Sequence, residues 1–424
     1  MEHWATSHHI PILRGAVPLL GSMVGLNSLL RQRSASDRVK SMEPFFRALL
    51  HPLFTTQAAF LLLRVCALPK LNFTCRTLPS TLTSSACAAF DRLVMSAAMA
   101  TLRLNENSLP KEALTLLTLP LRHGGFGLRS MVTTAPAAFL GSLAAAARHL
   151  PNLLAATPLL REIESALLHC QLPGLNLPPA ASFLTSAARR PPRFLQHSIT
   201  SAIEDHQACS LRSSVALATH LLSLRQTGAS SWLAATPSRP ELMLSNDDFR
   251  LAARLRLRLP PPSTSDTLCH LCRGELLPDH FMVCVPLRRR SATSRHNALL
   301  QLLVSFLRDA GMKPIPEART EDGERPDLRL NLGGTKLLLD LSVTHPTMPS
   351  ALRTGRSSHP LGAAEQREYE KKRKYTELGV MEDATVIPLV LETTGALGKG
   401  LQQFIRRIVP HPRRGVCRGL TTHG

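Results

Sequence analysis

Three cysteines and a histidine stand close together at Cys269, Cys272, His280 and Cys284, in the spacing Cys-x2-Cys-x7-His-x3-Cys. Zinc takes four soft or borderline donors in a tetrahedron. The Cys-x2-Cys turn supplies two thiolates from one tight knuckle. His280 and Cys284 can return from a short turn or helix to close the set. Four protein ligands leave no open position, so Zn²⁺ here is expected to be structural. His270 reads as a bystander. The remaining cysteines are scattered, which is not a disulfide framework and fits a reducing compartment.

A second constellation is acidic. Arg325-Pro326-Asp327 precedes a run that reads as a β-hairpin. Leu328, Leu330 and Leu332 alternate, Gly333–Gly334 suits a primed two-residue turn, and Leu337, Leu339, Leu341 and Val343 alternate after it. A strand, a turn and a return strand bring Asp340 back to the end where Asp327 sits. Two close carboxylates suit a hard cation such as Mg²⁺ or Mn²⁺. That cation could activate water and stabilise charge on a phosphorus centre. An acid inside LLLDLSV is costly to bury without a partner.

Such a site also needs a lysine to position water or neutralise charge. Lys371 and Lys374 lie with Tyr375 on a charged helix expected over residues 363–378. Lys336, on the second strand, is an alternative. His345 just past the Asp340 strand, and Glu392 at the end of a third strand, could line the same mouth. Arg295 and His296, at the start of the preceding helix, could contact phosphate. The runs Arg288, Arg289, Arg290 and Lys372, Arg373 are further candidate nucleic-acid contacts or nuclear address signals.

The elements that must position these residues follow from pattern. Residues 1–35 read as a strand or hairpin and then a helix. Residues 42–66 are helical with a break at Pro52, and residues 82–104 form another helix. Pro120 and Gly124–Gly125 force a turn. Residues 172–194, rich in Pro and Leu, look like a linker or an irregular segment, 196–235 helical, and RLRLRLP at 254–260 a short strand or extended basic segment. Residues 291–310 form one amphipathic helix closed by Gly311. TVIPLVLE, 385–392, is the third strand, and 395–408 a closing helix.

The chain has 424 residues, 50 Lys and Arg against 30 Asp and Glu, and a net charge of +20 concentrated toward its two ends. A polyanionic partner is the natural expectation, because cation clusters bind phosphate by releasing its counterions. The N-terminal residues make a poor signal peptide, and no eighteen uninterrupted apolar residues occur. The expectation is therefore a protein that is not secreted, has no membrane partner, and is nuclear or shared between cytoplasm and nucleus.

Residues 269–400 resemble the C-terminal region of non-LTR retrotransposon polyproteins of the restriction-like endonuclease class. The likeness rests on the CCHC knuckle, Arg295-His296-Asn297, Arg325–Asp327, LDLSVTHP at 339–346, KKRKY at 371–375 and LETTGA at 391–396. More loosely, IPILRGAVPLLGSMVG, LPKLNFTCRTLP and LPLRHGGFGLRS are similar to the segment after the polymerase palm. The resemblance implies α/β plus all-α architecture. A mainly helical connection and thumb remnant would cover 1–150 and a helical linker 151–262. A CCHC zinc knuckle would follow at 263–290, a restriction-endonuclease-like PD-(D/E)XK core at 291–410, and a basic tail at 411–424.

It also implies that Asp327 and Asp340 are catalytic, with Lys371 or Lys374. The family's endonuclease nicks one DNA strand, whose 3′ end primes reverse transcription of the element RNA. DNA, and element RNA as well, are the implied partners. The palm's aromatic-x-Asp-Asp turn has no counterpart, since the only Asp-Asp pair is Asp247–Asp248 in LSNDDFRL. No polymerase activity is expected. The alternative is a catalytically inactive nucleic-acid-binding remnant.

Overall fold

The structure is a computed structural model. It describes residues 7–8, 15–147, 149, 157–189, 194–212, 214–260, 268–277, 279–316 and 325–409. The basic tail at 411–424 therefore lies outside the described residues. The chain divides into two compact units. The first comprises Met1–Leu211 and Leu233–Ala253, and the second Arg212–Trp232 and Arg254–Gly424.

The first unit is helical apart from one hairpin, β1 (Ala16–Leu19) and β2 (Ser22–Gly25), as the Gly-punctuated start predicts. Asn27 then caps the Ser28–Lys40 helix by accepting from the Leu30 N–H at 3.1 Å. The long Ser80–Leu102 helix carries Asp91, which accepts from Ser130 Oγ at 2.6 Å and the Met131 N–H at 2.8 Å. A side chain of one helix thus caps the Met131–Ala146 helix. The turn at Gly124–Gly125 is obligatory, because a Cβ on Gly125 would lie 2.0 Å from the Leu119 carbonyl oxygen. Phe60 packs edge-on to Phe126 and tilted against Phe249, and all three are fully buried.

Thr56–Thr77 is continuously helical, and long and apolar enough by composition to cross a membrane, although residues such as Arg64 and Lys70 interrupt its apolar run. It buries Phe60, Leu63, Ala67 and Leu71 within this unit. The expected break at Pro52 occurs, between helices Glu43–Leu49 and Thr56–Leu62.

Two local expectations need correction. The Pro-rich stretch 172–194 contains a helix, Ala180–Arg189, whose Phe183, Leu184 and Ala187 join a core cluster. The prolines Pro178 and Pro179 precede that helix, where they do no harm. RLRLRLP is no strand, since residues through Arg256 belong to the Asn246–Arg256 helix. Ser245 and Asp248 form a reciprocal cap at its start, with Asp248 N–H to Ser245 Oγ at 3.1 Å and Ser245 Oγ to Asp248 Oδ2 at 2.6 Å. That nucleus outweighs the alternation downstream.

The second unit is built on a four-stranded sheet in the order β3 (Ile315–Pro316), β4 (Leu328–Leu332), β5 (Thr335–Thr344), β6 (Ala384–Glu392). β4 and β5 are antiparallel through the Gly333–Gly334 turn, where φ is +58° and +83°. β5 and β6 are parallel. One face is apolar. Leu337, Leu339 and Leu341 of β5 pack with Leu300, Val304 and Leu307 of a long helix, Val285–Asp309, and with Leu401, Phe404 and Ile408 of the closing helix, Lys399–Ile408. Strand pleating sends the intervening β5 side chains to the other face. There Leu338 meets Tyr375 and Leu378, beside the Gly362–Lys374 helix, hereafter the lysine helix.

Residues 212–232 belong to this sheet unit rather than to a separate linker. Ala229 joins Leu361, Ala364, Val390 and Ala396 in a small core. The Leu397 N–H donates to the Thr227 carbonyl at 2.9 Å. Arg256 is buried and donates to the Ala229 carbonyl at 2.8 Å and to Ser230 Oγ at 2.7 Å.

Candidate functional site

The knuckle closes as its spacing predicts. Leu268 and Glu275 form a bridge around the Cys-x2-Cys turn, and the Arg273 N–H donates to the Cys269 carbonyl at 2.7 Å. A short helical turn, His280–Val283, then returns the other two ligands. The donor atoms of Cys269, Cys272, His280 and Cys284 all lie within 4.8 Å of one another. Backbone hydrogen bonding from Cys272 outweighs desolvation and pulls the Cys269 thiol down to about 6. Burial pushes Cys284 up. Three thiols and an imidazole at this spacing are a zinc donor set, and the four residues could hold that ion.

The knuckle is tied to the sheet. Asp279, the neighbour of His280, accepts from Arg258 at 3.1 Å and from Thr347 Oγ1 at 3.0 Å, with His345 Nε2 at 4.0 Å. Burial would raise the Asp279 carboxyl, but His345 and Arg258 outweigh it and hold it at about 2. Cys284 is also the residue on which the long helix starts, six residues before the pattern at 291 suggests. Pro286 in its first turn suits that earlier start.

The second constellation gathers where pleat and register put it. Leu328 pairs with Leu339. One step further along the same antiparallel register, Asp327 faces Asp340. Asp340 shares the parity of Leu338, so it points toward the lysine helix, and it is 2% exposed. Lys371 Nζ lies 3.0 Å from Asp340 Oδ1 and 2.8 Å from Oδ2. Ser342 Oγ, two residues along the strand, is 3.4 Å from Oδ2.

Asp327 accepts from the Leu341 N–H at 2.6 Å through Oδ2, and its Oδ1 lies 3.2 Å from His296 Nε2. Desolvation raises the Asp327 carboxyl, and the charge of Asp340 raises it further. Tyr375, at the end of the lysine helix, is buried and donates to the Arg325 carbonyl at 3.2 Å. It thereby anchors the Arg325-Pro326-Asp327 segment.

The structure separates the lysines that the sequence left open. Lys371 meets Asp340. Lys374 Nζ sits 3.1 Å from the Tyr375 hydroxyl and over its ring. Lys336 points to the Glu382 carbonyl at 3.3 Å. Neither pairs with Asp327 or Asp340. Arg288, Arg295 and His296 are half-buried along the long helix, whereas Arg289, Arg290, Lys372 and Arg373 are exposed.

Glu392 is no member of the carboxylate pair. It is buried, accepts from Ser223 Oγ and from the Ala364 N–H, and is pushed up by burial. His345 is buried as well and bonds Thr393 through Nδ1. Sequence reasoning did not foresee Ser223, Tyr375 as an anchor, or the His296–Asp327 pair. Each depends on long-range packing that local spacing does not encode.

Among the described residues, the Cys/His set is the only cluster of three or more His, Cys, Asp or Glu side chains arranged to share an ion. The Asp327–Asp340 pair offers two carboxylates, which suits a cation that keeps waters or substrate oxygens in its remaining positions.

No protein-family model matches the chain. Over 186 residues it is 23% identical to the retrotransposable element SLACS 132 kDa protein of Trypanosoma brucei gambiense. The matched segment makes up 42% of this chain and 16% of that protein. The similarity supports a retrotransposon-related origin.

Proposed function

We propose that this is a retroelement-derived protein whose second unit is a metal-dependent DNA endonuclease with a PD-(D/E)XK-like core. Asp327 and Asp340 hold a divalent cation, Mg²⁺ or Mn²⁺, and Lys371 is the basic member of the set. The knuckle holds structural zinc. The observation that carries this reading is Lys371 on Asp340, at the register position facing Asp327. When bound, the cation supplies activation of water and stabilisation of charge on the phosphate.

The chain's own residues do the rest. The Leu341 N–H holds one oxygen of Asp327 in place. His296 faces its other oxygen, on the long helix that starts at the knuckle. Lys371 neutralises Asp340 before substrate arrives and is placed to stabilise a developing negative charge. Tyr375 fixes the backbone that presents Asp327. The similarity to a retrotransposable-element protein supports the retroelement origin, and the role we propose for the nuclease is to open a DNA target for an element copy.

One observation favours a second reading, a nucleic-acid-binding remnant without catalysis. Lys371 already engages both oxygens of Asp340, and Leu341 and His296 engage those of Asp327. The two readings separate in one assay. The full chain is incubated with supercoiled plasmid and Mg²⁺ or Mn²⁺. We expect nicking that needs the cation and disappears in Asp340→Ala. Salt-sensitive binding with no nicking would establish the remnant, and nicking that persists in Asp340→Ala would remove the carboxylate assignment.

A further inference from the structure

The second unit contains a cavity of about 250 Å³ between the first turns of the long helix, the end of β5 and the lysine helix. Arg288 and Arg295 line it from the long helix, and Arg367 from the lysine helix. Arg288 and Arg295 are seven residues apart, two helical turns, so they share a face. Glu370 is the one carboxylate on the wall, and it pairs with Arg367 at 3.0 Å and takes a hydrogen bond from Gln366 at 2.9 Å. Among the described residues, no carboxylate is paired with Arg288 or Arg295. Arg288 has only the Met348 thioether at 3.6 Å, a weak acceptor that neutralises nothing. The wall therefore carries two half-buried guanidiniums with no carboxylate partner, whose N–H groups are free to meet an anion that enters the cavity.

The cavity lies beside the carboxylate pair. Arg367 is one turn before Lys371 on the same helix, a rise of roughly 6 Å. Val343 and Thr344, which line the cavity, are three and four residues beyond Asp340 on β5, roughly 10–13 Å along the strand. At a rise of about 3.4 Å per nucleotide, one strand spans that separation in a few nucleotides. The guanidinium fork matches phosphate geometry in two-point contact.

We infer that this cavity is a phosphate subsite, in which Arg288 and Arg295, assisted by Arg367, hold a backbone phosphodiester a few nucleotides along the strand whose reacting phosphodiester lies at Asp327 and Asp340. The inference deepens the endonuclease reading and rests on it for the identity of the strand. It divides the basic residues by task. Arg288, Arg295 and Arg367 set the strand's register, while Arg289, Arg290, Lys372 and Arg373 contribute a solvated positive field.

The test is fluorescence anisotropy of a short single-stranded DNA on the zinc-loaded full chain, across a salt series and without Mg²⁺, so that binding is read apart from cleavage. We expect Arg288→Gln/Arg295→Gln to weaken binding about tenfold and to lower the slope of log K against log salt by about 0.7, the value for one phosphate on a single strand. Arg367→Gln, on a different element, moves both quantities in the same direction by less. Arg308→Gln, which removes an exposed charge from the same long helix, is the reference. If the double variant matches Arg308→Gln, the subsite is overturned.

A competition arm uses inorganic phosphate at constant ionic strength. We expect no displacement that depends on Arg288 and Arg295. Displacement that vanishes in the double variant would make the cavity a free-phosphate site and overturn the phosphodiester assignment. Plasmid nicking in Mg²⁺ reads the parent proposal separately. A chain that binds with the expected slope but does not nick keeps the subsite and loses the nuclease. A chain whose nicking depends on Asp340 but whose slope is unmoved keeps the nuclease and loses the subsite.

Discussion

The Cys/His knuckle and the carboxylate pair lie in the same unit, yet they are assembled in opposite ways. The knuckle draws all four donors from Cys269 to Cys284, one continuous stretch, and a turn and a short helical segment suffice to close it. The carboxylate site draws His296, Asp327, Asp340 and Lys371 from a helix, a strand-flanking bend, a central strand and a second helix. Its geometry depends on hairpin register, on sheet pleating and on packing across both faces. A local site stands or falls with its ligand, whereas a site built from distant elements degrades by small displacements of its supports.

The first way to sharpen that contrast carries the largest expected effect. Cys272→Ser removes one of the four donors, and apparent zinc affinities of structural sites are of order 10 kcal/mol or more. We expect the variant to lose bound zinc in native mass spectrometry and to melt at clearly lower temperature, because Asp279 ties the knuckle to Arg258 and Thr347. Unchanged zinc content would show that these residues are not a metal site. Asp340→Asn should behave oppositely, keeping its zinc while losing the proposed activity.

This contrast also explains what could be read from residue order. The knuckle was legible because its spacing is its geometry. The β4–β5 hairpin was legible because Leu alternation and Gly333–Gly334 state both period and turn. With them came the facing of Asp327 and Asp340. Which lysine meets Asp340 was not legible, because Lys371 and Lys374 are told apart only by how their helix docks on the sheet, and Lys336 only by where it sits along β5. Glu392 misled for the same reason. An acid ending a strand beside the site looks like a member, yet packing of the 215–224 helix turns it to Ser223. That helix also shows that a fragment starting at residue 260 would strip a partner from the sheet, so tests belong on the full chain.

We expect Lys371→Met to reduce Mg²⁺-dependent nicking roughly a hundredfold, about 2.7 kcal/mol in the barrier. Lys336→Met and Lys374→Met should stay within roughly threefold of the parent chain, well under 1 kcal/mol. A large loss at Lys374 with none at Lys371 would mean that the lysine helix is rotated in the working enzyme. It would break the assignment without disturbing the knuckle.

The smallest effect tests the supports rather than the reacting groups. Tyr375→Phe keeps the buried ring against Leu338 and Leu378 and removes only the hydroxyl. The lost bond to the Arg325 carbonyl should cost about 1 kcal/mol of stability, the usual net value of such a hydrogen bond. Because that bond holds the backbone leading to Asp327, nicking should fall several-fold while zinc content and DNA affinity stay unchanged. A non-local site loses activity when one support loosens, and a local site does not notice. If Tyr375→Phe loses stability and keeps full activity, Asp327 is held by the Leu341 N–H and His296 alone, and the support reduces to those two contacts.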